Sequence, residues 1–90
     1  MASKRDLKKD IRYLTNELLG ECYLYTCFHE DEASQAKADE AMKAIALRHN
    51  ELIERINRGP QEQTKAAVKA FYNEIGDDMV SMINILDKMS

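Results

Sequence analysis

The residues whose chemistry is most readily put to use are two cysteines and two histidines: Cys22, Cys27, His29 and His49. A nucleophilic thiol needs a base within reach and an electropositive setting. His29 follows Cys27 by two positions, which on a helix turns it about 160° away. Glu30, Asp31 and Glu32 then surround that end of the segment with negative charge. Cys27 is therefore not expected to be a nucleophile, and Cys22 reads as a small core residue. The two thiols, five positions apart, point about 140° from each other on one helix and cannot bridge without unwinding it. Reduced thiols fit a cytoplasmic location.

Metal chemistry in helical proteins draws on inward carboxylates and Glu-x-x-His pairs, and this chain contains no Glu-x-x-His. Glu21 and His49 are the polar residues nearest the apolar faces. In a hairpin turning near residue 31 they lie about 10 Å apart along the axis at 1.5 Å per residue, too far to share an ion. His49 is expected in the core, bonded to the Tyr72 hydroxyl or to Thr15, with a ligand or pH-switch role as the alternative. Glu21 is expected at the core edge, reaching water or a cation. No zinc spacing, phosphate loop or hydrolase elbow occurs. The expectation is a protein that is not an enzyme, with no catalytic, cofactor-binding or metal-ligating residue and no cofactor.

The elements that carry these residues follow from composition and period. Ninety residues with 44% hydrophobic and 32% charged make one globular domain, 1–90. Three glycines and one proline leave few turns, so the elements are long, and long elements in a small protein are helices. The first segment, from about residue 4 to 29, places Leu7, Ile11, Leu14, Leu18, Cys22, Tyr25 and His29 within about 80° of arc, with Ser3 as cap. The second, 34 to 58, lines up Ala38, Ala41, Met42, Ile45, His49, Leu52 and Ile56 and stops at Gly59. The third, 60 to 89, starts with Pro60 as its first helical residue and carries Val68, Phe71, Tyr72, Ile75, Met79, Met82, Ile83, Leu86 and Met89. Gly76 in its middle implies either a close helix approach or a bend. No breaker stands between His29 and Ser34. The break is placed there because three acids suit the start of a helix and oppose its end, with Asp31 or Ser34 as N-cap. The fold expected is an all-α, antiparallel up-down-up three-helix bundle. The alternative is two long helices, 4–58 and 60–89, in an intertwined oligomer.

In that bundle charge separates along the axis. Residues 1–16 and 48–72 hold ten basic and five acidic groups, a net of +5; residues 17–47 and 73–90 hold three and eleven, a net of −8. Of the ten basic groups, which include Arg48, Lys65 and Lys69, the candidate basic surface is Lys4, Arg5, Lys8, Lys9, Arg12, Arg55 and Arg58. Apolar residues off the inner faces (Tyr13, Leu19, Tyr23, Leu24, Leu47, Ile53, Val80 and Ile85), with Cys27 beside them, form a candidate interface. Met42, Met79, Met82 and Met89 could form a plastic groove but fit the core better at their spacing.

The function expected is thus a helical protein–protein interaction or scaffold protein that self-associates, with a homodimer favoured and a further protein partner possible. One alternative is a nucleic-acid-associated accessory protein using the basic end, disfavoured by the overall charge of −3. A second is a metal- or small-molecule-binding bundle enzyme. No run approaches the roughly 18 apolar residues of a membrane span, and no apolar signal core follows the first residues.

Overall fold

A computed structural model describes residues 4–89. It is an all-α bundle of three helices, α1 (Lys4–Phe28), α2 (Glu32–Arg58) and α3 (Lys65–Met89), filling 51 × 18 × 16 Å. The 4–58 helix of the alternative does not exist, because α1 ends at Phe28. Ser3 lies outside the described residues.

Two side chains make the α1–α2 reversal without a glycine. Asp31 has extended backbone and its carboxylate accepts from the Ser34 N–H at 2.9 Å, capping α2. From the first turn of α2, the Gln35 side-chain amide donates back to the Thr26 and His29 carbonyls at 2.9 and 2.7 Å. Those carbonyls belong to the unpaired end of α1, so one side chain of the second helix finishes the first. The Tyr25 and His29 rings stack at 4.2 Å beside the turn.

The α2–α3 connection differs from expectation at Pro60. Gly59 ends α2 at φ +73°, with its N–H bonded to the Arg55 carbonyl at 2.9 Å. A Cβ at Gly59 would meet only the flexible tip of Lys4, its Nζ at 3.0 Å, so it is the conformation that calls for glycine. The chain then runs through Pro60 without entering a helix, and α3 begins only at Lys65. Thr64 supplies the cap, its hydroxyl accepting from the Ala67 N–H at 3.2 Å. Proline permits a helix start, whereas a capping hydroxyl fixes one.

All three helices meet in one core of Ile11, Leu18, Cys22, Ala38, Ala41, Ile45, Leu52, Ile56, Ile75, Met82 and Met89. Thr15 joins it by donating its hydroxyl to the Ile11 carbonyl at 2.7 Å. The methionines therefore serve as core, Met42 and Met79 packing against it. The three contacts are unequal. The α1–α2 contact is the most extensive, α2–α3 is intermediate and α1–α3 the slightest. Arg55 of α2 ties α3 down, donating to Glu74 at 3.3 Å and to Asp78. A Cβ at Gly76 would meet nothing within 4 Å, and α3 is continuous there, so that glycine serves no close approach inside the bundle.

The Asp31 cap has a pH signature. Its hydrogen bonds from Ser34 hold the carboxyl below the usual aspartate value. A depressed folded-state pKa contributes stability that is present above the unfolded value, about 3.9, and is lost as pH falls through the folded one. Asp31→Asn keeps a capping oxygen but cannot titrate, so its thermal midpoint should fall less between pH 7 and pH 3 than the wild type's. Asp31→Ala should melt lower than either at pH 7. Equal acid limbs for wild type and Asp31→Asn, followed by circular dichroism, would contradict the cap.

Candidate protein-interaction surface

Among the described residues no group of three or more His, Cys, Asp or Glu side chains could hold a metal ion. Each candidate chemical group has a local partner or a solvated setting. His49 is half-buried, and its Nδ1 lies 3.1 Å from the Asn50 Oδ1, a hydrogen bond when Nδ1 carries the proton. Its partner is thus Asn50 rather than Tyr72 or Thr15; the Thr15 hydroxyl donates to the Ile11 carbonyl. His29, counted on the apolar stripe of α1, is exposed beyond the end of that helix. Glu21 is exposed at the core edge, as expected. Cys22 is buried and Cys27 exposed, and no disulfide joins them. Burial, and then the neighbouring Glu21 charge, push the Cys22 thiol up, which keeps it protonated and unreactive.

What the surface does offer is apolar. Tyr13, Tyr23, Leu24, Phe28, Leu47, Val80 and Ile83 are exposed, from 40% for Ile83 to 80% for Phe28. Of the residues singled out from sequence, Tyr13, Tyr23, Leu24, Leu47, Val80 and Cys27 lie in the open. Leu19, Ile53 and Ile85 instead pack against the core, because each helix has two neighbours and its flanks are used. Phe28 and Ile83 went unrecognised. Phe28 closes the i, i+4 row begun by Leu24, which was the available signal. Ile83 shares an apolar stripe with core residues, and periodicity alone cannot say which part of a wide stripe is covered.

These residues are not scattered evenly. Taking 100° per residue, Tyr13, Leu24 and Phe28 share about 60° of arc on α1. Val80 and Ile83 also share about 60° on α3, on the flank that carries Asp87 rather than the flank that meets α2. The two flanks border a groove of about 380 Å³ between the C-terminal halves of α1 and α3, walled by Leu24, Tyr25, Phe28, Leu86 and Met89 with Glu21 and Asp87 at its edge. Tyr23 and Leu47 lie on other faces and stand alone. A larger concavity, about 760 Å³, sits at the α2–α3 turn between Arg55, Arg58, Pro60, Phe71 and Glu74. A third, about 250 Å³, separates α2 from α3 near Ala44 and Ile85.

The basic end is less uniformly positive than its count suggests. Arg55 is neutralised by Glu74 and Asp78. Lys4 lies against Gly59 at the carbonyl end of α2, where its charge complements the helix dipole. Arg48 pairs with Glu51 at 3.9 Å, and Arg5, Lys8, Lys9, Arg12, Arg58, Lys65 and Lys69 make up the rest of it. No helix among the described residues is long and apolar enough to cross a membrane. No protein-family model, curated protein or solved structure matches the chain.

The burial difference between the thiols is directly measurable. A disulfide-exchange reagent at pH 8 should label Cys27 in the native protein at the rate of an exposed thiol. Cys22 should react only through opening of the bundle, at least a hundredfold more slowly, and both should react at once in denaturant. Two fast thiols in the native protein would contradict the core described here.

Proposed function

We propose that this protein is a helical protein-interaction module that binds through the open seam between α1 and α3. One observation carries the reading: the exposed Leu24 and Phe28 line the groove between α1 and α3, and the exposed Ile83 and Val80 lie on the flank of α3 that carries its lining residue Asp87. Apolar side chains scattered singly need no explanation, but a contiguous strip beside a groove is what an interface leaves on a free monomer. Free thiols support a reducing, cytoplasmic setting for it. The basic end carries less weight as a nucleic-acid surface, because acids interrupt it and two of its cations are engaged within the bundle.

Self-association is a second reading, favoured by the charge separation along the axis, net +5 against −8. Two copies laid antiparallel would place unlike ends together. A homodimer is the form this reading takes.

Light scattering coupled to size exclusion separates the two readings. Self-association requires a mass near twice 10.4 kDa at high micromolar protein, falling toward the monomer as salt is raised; a monomer throughout removes it. For the seam, Leu24→Ser, Phe28→Ser and Ile83→Ser are combined in one variant. All three residues are exposed, so its far-ultraviolet circular dichroism should match the wild type's. Host proteins retained on immobilised wild type should be lost from this variant. Identical retention by both would overturn the seam as the binding surface.

A further inference from the structure

Along its C-terminal half the seam is bordered by acidic charge; Lys65 and Lys69 share the flank of Val80 and Ile83 but lie at the opposite end of α3. On a helical projection of α1, its four acidic residues, Asp6, Asp10, Glu17 and Glu21, fall within about 60° of arc, while its five basic residues fall within a separate arc of about 140°. The acidic arc coincides with Leu24 and Phe28 and adjoins Tyr13. One stripe of α1 thus reads acid, acid, Tyr13, acid, acid, Leu24, Phe28 at spacings of three and four. Glu17 and Glu21 are exposed, and Glu21 lies at the edge of the groove together with Asp87 of α3. Across the seam, Gly76 lowers the wall of α3 between Tyr72 and Val80, and a Cβ there would meet nothing. An approaching backbone would gain that space.

We propose that the α1–α3 seam is the docking groove for a basic amphipathic helix of a protein partner. The inference rests on the seam being the binding surface and adds what occupies it. The groove runs between two parallel helices, which a third helix fills with apolar residues at i, i+3, i+4 and i+7. Lysines or arginines flanking that stripe would meet Glu17 and Glu21. A second copy of this chain fits less well. Pairing the α1 stripe with itself about a two-fold axis sets acid against acid, so a dimer joined through its unlike ends would use another face. The occupant's apolar stripe supplies most of the binding; the flanking charges select it and speed its approach.

The test titrates full-length protein into a labelled 18-residue peptide with leucine at those positions and lysine elsewhere, read by fluorescence anisotropy. Three controls are a scrambled peptide of the same composition, a leucine/glutamate counterpart, and the double variant Glu17→Lys/Glu21→Lys. The amphipathic lysine peptide should bind, weaken at least tenfold for the double variant, and weaken with salt. It should also weaken for Phe28→Ser, while neither control peptide binds. Amide shifts in the nuclear magnetic resonance spectrum should move at Gly20, Leu24, Gly76 and Ile83. Equal affinity for wild type and double variant, or shifts confined to the Tyr23 and Leu47 faces, would overturn the basic-helix assignment. A dimer abolished by Phe28→Ser and unaffected by the peptide would assign the groove to a second copy and overturn it likewise. If the Leu24/Phe28/Ile83 variant retains host proteins as the wild type does, the underlying reading fails instead, a result that peptide binding does not influence.

Discussion

The reversal at residues 29–31 is the constraint on which the rest of this structure depends. Without it, residues 4–58 would form a rod of roughly 80 Å at 1.5 Å per residue, with an apolar stripe on each half and nothing to cover either. The reversal is made by polar side chains that finish helix ends rather than by a residue that breaks helices. Asp31 takes up an N–H at the start of α2, and Gln35 takes up two carbonyls at the end of α1. Each satisfies backbone groups that would otherwise need water. The Gln35 bonds exist only when the two helices are already side by side, so that part of the turn and the α1–α2 packing form together.

Once α1 and α2 are paired, α3 has two possible walls to lean on and uses them unequally. Arg55 reaches two carboxylates one turn apart on α3, and Ile75, Met82 and Met89 complete the core. These contacts fix α3 mainly against α2. The apolar arc of α3, running from Ile85 round to Val80, spans about 220° on a helical projection, more than its two neighbours cover. Part of that arc faces outward along α1, which is how a regular bundle comes to have an open seam.

Much of this was legible in the sequence, and the parts that were not share a cause. Periods of three and four located all three helices and nearly all of the core, because burial of a stripe is a property of one helix at a time. Asp31 and Gly59 were legible as caps for the same reason. Pro60 misled because its fixed backbone suits a helix start without requiring one, while Thr64, four residues on, provides a bond that does. His49 sits centrally on its stripe yet pairs with Asn50, since the width of a helix–helix contact, not its centre line, decides which polar residue reaches the edge. Phe28 and Ile83 are exposed for a reason no single helix contains. Their burial depends on how closely α3 approaches α1.

That approach is limited by the same residues that line the seam. Closing α3 onto α1 would cover Leu24, Phe28 and Ile83, which the hydrophobic effect favours. It would also remove water from Glu17 and Glu21, and burying carboxylates without counter-charges opposes closure. The stretch of α3 level with them, residues 72–83, holds no cation, and Lys65 and Lys69 of the same flank lie several turns away, so the bundle offsets little of that cost from within. Exposed apolar surface and unanswered negative charge are therefore two consequences of one arrangement. Replacing the acids with apolar residues would lower the cost of closure, and retaining them favours a covering surface that brings its own positive charge.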